Sequence, residues 1–192
     1  MVKVFNIKKG LFYGILHLPQ FATSLQLSAK REIEKKGCAY LLQQLLHKNV
    51  EILYTESGKP YLPHSSIHLS ISHSHDKLAI IINEHEKTGI DIELIRDKVK
   101  TIKSKFLSAD ELADAGEDTE KVLIYWAAKE TLYKIQGSNQ VEFIKHLFVN
   151  PFTKHNLGTL IGKINLLGVI EEYEVSYQIM EQYVLVYALK KI

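Results

Sequence analysis

The five residues Gly89-Ile90-Asp91-Ile92-Glu93 constrain this chain more than any other stretch. Side chains alternate between the two faces of a β-strand, so Ile90 and Ile92 enter a core while Asp91 and Glu93 share the opposite face. Two carboxylates on one face repel each other unless a cation or a basic group sits between them. A small number of oxygen ligands suits Mg²⁺, which keeps several waters and takes substrate phosphates as further ligands. A second segment, Trp126-Ala127-Ala128-Lys129-Glu130-Thr131-Leu132-Tyr133-Lys134, follows, with Glu130 lying 37 positions beyond Glu93 (130 − 93). On a helix Glu130 and Lys134 are i,i+4 neighbours on one face. Taken singly, an Asp-x-Glu on a strand is usually a solvated edge, and a Glu-Lys pair is usually a surface ion pair worth about 0.3–0.5 kcal/mol. Together they bring a third carboxylate and a basic phosphate-binding group toward the first pair.

Bulk properties narrow the class. The 192 residues suffice for one sizeable core or two small fused ones. A hydrophobic share of 46% with 24% charged residues is that of an ordinary globular protein. The net charge of +2 gives no global basic field, so nucleic acid is not an expected partner. Cys38 is the only cysteine, which excludes an internal disulfide and a cysteine-based zinc site and fits a reducing, cytoplasmic setting. No apolar run reaches the roughly 20 residues of a membrane span. Lys8 and Lys9 precede an apolar stretch, but Tyr13 and His17 interrupt it. The alternation of Val2, Val4 and Ile7 around Lys3 predicts a first strand rather than a signal peptide.

The periodicities predict one or two strands over residues 2–18 and a helix over 29–46, with Ser28 and Glu32 at its start. Gly37 in that helix costs about 1 kcal/mol relative to Ala and predicts a local irregularity. A short strand is expected at 51–54 and a turn at Ser57-Gly58-Lys59-Pro60. The apolar run 78–82 predicts a strand, and the polar turn 83–87 makes residues 89–95 its expected hairpin partner. Helices are expected near 98–106 and 119–135. Strands over 158–167, 172–180 and 183–189 would form a meander with a tight turn at Glu181-Gln182.

With these residues in place, a family resemblance can be stated. Gly89–Glu93 followed by Trp126–Lys134 resembles the 4′-phosphopantetheinyl transferases, in particular their longer, surfactin-synthetase-type branch. Gly58-Lys59-Pro60 is similar to that branch's Gly-Lys-Pro segment. Leu69-Ser70-Ile71-Ser72-His73-Ser74 is similar to its Phe-Asn-x-Ser-His-Ser segment. Phe106-Leu107-Ser108 with Glu111 resembles the element between the two acidic motifs, and Gly137 closes the helix motif. The match runs in order from Gly58 to Gly137.

The resemblance implies an α+β fold built as a pseudo-dimer of two similar halves, residues 1–95 and 96–192, with the active site in the cleft between them. It implies a monomeric enzyme that moves the 4′-phosphopantetheine arm of coenzyme A to a serine of an apo acyl or peptidyl carrier protein and releases 3′,5′-ADP. Asp91, Glu93 and Glu130 would hold Mg²⁺, with Glu130 also the candidate base. Lys134 would sit on the pyrophosphate, Ser72 and His73 would contact phosphates of coenzyme A, and Lys59 with Pro60 would shape the nucleotide pocket. Lys129 adjoins Glu130 at i,i+1, which turns it away from that site. Trp126 is expected in the core, since its helix must bury one face.

The chain departs from the family pattern at several positions. Ser70 stands where the family has Asn, and Leu69 where it has an aromatic residue. Ala39 replaces an Arg that helps bind the nucleotide end in relatives; Lys35 and Lys36 are nearby basic residues. Ser138-Asn139-Gln140-Val141 replaces a further basic or glycine-rich element. These departures leave open a degenerate relative that binds coenzyme A or a carrier protein without transfer. An unrelated metal-dependent phosphoesterase would explain the carboxylates but not the other segments. His73 and His75 lack a third ligand spaced for zinc.

Overall fold

The computed structural model of the chain describes residues 1–137 and 140–192. Its fold class is α+β, and the chain divides into two compact units, Met1–Thr88 and Gly89–Ile192. Among the described residues no helix is long and apolar enough to cross a membrane. Ser138 and Asn139, two of the four residues that depart from the family pattern after Gly137, lie outside the described residues.

The first unit contains β1 (Val2–Lys8), β2 (Leu11–His17), α1 (Leu18–Ser24), α2 (Lys30–Leu46), β3 (Leu53–Tyr54), β4 (Pro60–Tyr61), β5 (His68–Ser74) and β6 (Lys77–Asn83). Its main sheet has the order β1-β2-β6-β5, antiparallel throughout, and β3 with β4 forms a separate two-stranded ribbon. The expected helix over 29–46 forms as α2, but Ala29 occupies the N-cap position and makes no side-chain capping bond. Gly37 introduces no break. It is buried, and a Cβ there would lie 3.1 Å from Leu18 and 3.3 Å from Leu16. The glycine therefore lets α2 pack closely, with Leu41, Leu42 and Leu45 beside it in a core shared with Leu78, Ile80 and Ile82.

The second unit runs β7 (Ile90–Leu94), a 3₁₀ segment (Asp97–Lys105), α3 (Ala109–Ala115), α4 (Thr119–Gln136), α5 (Phe143–His146), β8 (Leu147–Val149), β9 (Leu157–Leu166), β10 (Val169–Met180) and β11 (Tyr183–Lys191). Its sheet order is β7-β11-β10-β9-β8, again antiparallel. The expected meander and its turn at Glu181 are present. The segment expected as a helix over 98–106 is 3₁₀, with Val99 its one buried residue and hence little apolar face to drive a longer α-helix.

The hairpin expected between 78–82 and 89–95 does not form. Both edges of β6 are taken by β2 and β5. β7 pairs instead with β11, in the register Val186↔Asp91 and Val184↔Glu93. The compact units accordingly part after Thr88, so the carboxylate strand sits with α4 and not, as a division at residue 95 would have it, with β6.

A buried ion pair organises the second unit. Lys129 on α4 is fully buried, and its Nζ lies 2.6 Å from Glu111 Oε2. The ammonium also donates to the carbonyls of Phe106 (2.7 Å) and Phe143 (3.2 Å). Glu111 closes a capping box with Ser108 at the start of α3 and accepts from the Val149 amide at 2.9 Å. Burial pulls the Lys129 ammonium below its usual range, and Glu111 opposes that. Removing one partner of such a pair strands the other charge and costs about 3–5 kcal/mol, whereas apolar replacement of both is often tolerated. Glu111→Ala should therefore lower the unfolding free energy by about that amount in urea titrations. The double variant Glu111→Leu/Lys129→Met should recover most of the loss.

Candidate active site

Strand alternation and helix phase bring Asp91, Glu93 and Glu130 within electrostatic reach of one another. Ile90 and Ile92 are fully buried, as the alternation requires. Asp91 is itself 3% exposed, so this Asp-x-Glu is no solvated edge. Close approach of β7 to α4 depends on Gly89, where a Cβ would lie 2.2 Å from the Thr131 carbonyl oxygen. Thr131 in turn donates from its hydroxyl to the Val186 carbonyl at 3.3 Å. With the helix seated this deep, Lys134 donates to Asp91 Oδ1 at 2.7 Å and to the Ile90 carbonyl at 3.0 Å. Lys134 thus neutralises Asp91 directly.

Glu130 lies one turn earlier on the same helix. Burial raises its carboxyl to about 7, with the charge of Asp91 adding to the rise, Lys134 opposing it and Glu93 adding again. Three carboxylates therefore share one electrostatic environment around one lysine. Glu93 accepts a hydrogen bond from the Trp126 indole at 3.0 Å. Trp126 is half-buried, edge-on to Phe106 and stacked on Phe143, with ring centroids 4.8 and 5.3 Å away. The core role expected of Trp126 was incomplete, because alternation alone does not show that the Glu93 carboxylate comes within reach of the indole.

The donor set is oxygen-only, the ligand type that a hard divalent cation takes. Among the described residues, no three His, Cys, Asp or Glu side chains are gathered closely enough to ligate one ion. Asp91 is engaged by Lys134 and Glu93 by Trp126 instead.

In the first unit, Lys59 and Pro60 line a cavity of about 100 Å³ together with His68, Leu69, Lys87 and Thr88. Burial lowers the Lys59 ammonium, and Lys87 lowers it further; burial likewise lowers His68, ahead of Lys59 and Lys87. Lys59 and Lys87 thus bring two basic groups to the cavity, and Glu86 acts against them on His68. Ser72 and His73 are consecutive on β5 and turn to opposite faces: Ser72 is buried, while His73 is exposed, 3.5 Å from Glu34. His68 and Lys87 carry no motif that singles them out in the sequence, and only folding shows that they accompany Lys59.

The raised Glu130 carboxyl makes a stability prediction. A group whose folded value exceeds its unfolded one weakens the fold as pH rises between the two, here from the ordinary 4.5 to about 7. Glu130→Gln should thus raise the melting temperature of the metal-free chain at about pH 8, and the gain should vanish at about pH 4. Thermal melts of both proteins at the two pH values check this.

Comparison with known proteins adds an independent line. Residues 87–188 match the 4′-phosphopantetheinyl transferase superfamily. The curated relatives include 4′-phosphopantetheinyl transferase AcpT of Escherichia coli (strain K12), 29% identical over 112 residues, covering 54% of this chain and 57% of that protein. AcpT of Salmonella typhi is 29% identical over the same length, covering 58% of that protein. The chain spans little more than half the length of these relatives. The matched segment contains β7, α4 and every acidic residue of the site, and the chain belongs to the 4′-phosphopantetheinyl transferase superfamily.

Proposed function

We propose that the chain transfers the 4′-phosphopantetheine arm of coenzyme A to a serine hydroxyl of an apo carrier protein in a Mg²⁺-dependent reaction. The observation that carries this reading is the grouping of Glu130, Asp91, Glu93 and Lys134 by β7 and α4, with the Glu130 carboxyl raised to about 7. The serine oxygen forms a bond to the phosphorus that bears the pantetheine arm. The pyrophosphate bond to the nucleotide side breaks, and 3′,5′-ADP leaves with the bridging oxygen. Glu130 accepts the serine proton, and a carboxylate raised to about 7 is well matched to that task near neutral pH. Lys134 leaves Asp91 to pair with the pyrophosphate and offset its negative charge. Asp91, Glu93 and Glu130 would hold Mg²⁺, which supplies charge neutralisation at phosphate oxygens when bound.

In the first unit, the cavity supports the assignment of Lys59 and Pro60 to coenzyme A, with Lys87 as a further cationic group and His68 as a hydrogen-bonding one. At about 100 Å³ it suits a phosphate group better than a whole nucleotide. His73, exposed on β5, is available to a phosphate; Ser72 is buried and would support its strand.

The test is direct. Incubated with coenzyme A, Mg²⁺ and an apo acyl or peptidyl carrier protein, the chain should add one phosphopantetheine arm to the carrier, read by mass spectrometry. Binding of coenzyme A without mass gain would establish a binding module and refute the transferase reading. Glu130→Gln should fold, bind coenzyme A to within a modest factor and transfer about 10²–10⁴-fold more slowly at saturating Mg²⁺. A Gln variant with near-normal turnover would remove Glu130 from the mechanism.

A further inference from the structure

We propose that the 3₁₀ segment Asp97–Lys105, with Arg96 at its start, is the surface on which the apo carrier protein docks, and that it selects carriers whose face around the accepting serine is acidic. The partner's identity as a carrier rests on the transferase reading above.

Residues 96–105 hold five basic residues, Arg96, Lys98, Lys100, Lys103 and Lys105, against one acidic one, Asp97. That local net of +4 (5 − 1) exceeds the +2 of the whole chain, so the positive charge is concentrated here. Three residues fill a 3₁₀ turn, and side chains three apart stand in one column. The column of Asp97, Lys100 and Lys103 is engaged within the chain: Lys100 pairs with Asp97 at 2.9 Å and Lys103 with Glu117 at 2.6 Å. Val99 is buried and seats the segment. Arg96, Lys98 and Lys105 are exposed, and among the described residues none of them makes an ion pair. Ile102 is exposed as well, with Lys98 and Lys105 flanking it along the segment. An apolar contact with charges around it is the composition of a protein interface. The segment has no aromatic residue on which a nucleic-acid base could stack, and one exposed isoleucine is no apolar face for a membrane. The segment is also fastened to the acidic site. It starts just beyond β7, and Phe106 at its end meets Trp126 edge-on at 4.8 Å, whose indole donates to Glu93 at 3.0 Å. A protein held on this ridge is therefore held beside the strand that carries Asp91 and Glu93.

The test uses the full chain and two apo acyl carrier proteins, one acidic around its serine and the other with those Asp and Glu changed to Asn and Gln. Transfer is read by mass spectrometry and binding by calorimetry. Lys98→Glu/Lys105→Glu should keep the parent's circular dichroism, its kcat and its KM for coenzyme A. Its KM for the acidic carrier should rise about 10-fold or more at low ionic strength. The neutralised carrier should lose as much with the parent chain and little more with the variant, the coupling expected of groups that meet. In about 1 M salt, where charges are screened beyond about 3 Å, parent and variant should converge. Should the reversed variant not fold, Lys98→Gln/Lys105→Gln takes its place, with a smaller rise in the same KM. An unchanged carrier KM in the variant overturns the docking surface and leaves the transferase reading intact. Carrier binding that depends on Lys98 and Lys105 but gives no mass gain upholds the surface and defeats the transferase reading. A parent chain that binds duplex DNA or phosphatidylserine vesicles through these lysines, and does not bind the carrier, overturns the assignment.

Discussion

A single salt bridge that no solvent reaches, Lys129 with Glu111, holds the second unit in the form its chemistry needs. An ammonium without exposure persists only when its hydrogens are all directed at acceptors, and Lys129 finds three: one carboxylate oxygen and two carbonyls. Those partners come from separate parts of the chain. Phe106 ends the 3₁₀ segment, Glu111 opens α3, and Phe143 opens α5. Because they meet at one nitrogen, α4 cannot rotate about its axis without breaking all of them. The neighbouring residue, Glu130, inherits that fixed phase.

The second constraint is distance rather than rotation. A helix is ordinarily held off the strands it covers by the side chains between them. Here Gly89, just before β7, and Gly162 on β9 remove the intervening atoms, the first beside Thr131 and the second 2.9 Å from Leu132 when a Cβ is placed there. Rotation set by Lys129 and depth set by the glycines together decide which groups of α4 reach Asp91. Lys134 reaches it as a direct ion pair, while Glu130 reaches it only as a neighbouring charge.

Much of this was legible in the sequence, because it rests on short-range periodicity. Alternation placed Asp91 and Glu93 together, and the i,i+4 rule placed Glu130 beside Lys134. The turning away of Lys129 also followed from helix geometry. What could not be read was the partner of each strand. Residues 78–82 and 89–95 are separated by a polar turn that suits a hairpin, yet the hydrogen bonds of β7 go to β11, nearly a hundred residues later. Nothing local distinguishes those outcomes; they depend on β6 being filled on both edges. Gly37 was misread for a similar reason. Its intrinsic cost in a helix is a local property, whereas its use, close contact with Leu16 and Leu18, arises only after folding.

Lys129 and Glu130 are adjacent, about 100° apart around the helix axis, and they have opposite fates: one is sealed in the core and the other faces the acidic site. The meaning of each residue in α4 is therefore set by its reading frame within the turn, not by composition. A deletion of one residue upstream in this helix would carry Glu130 into the slot shaped for an ammonium, and an insertion of one would carry Lys129 to the position of Glu130. A change in the count of residues would displace both at once, where a substitution alters one.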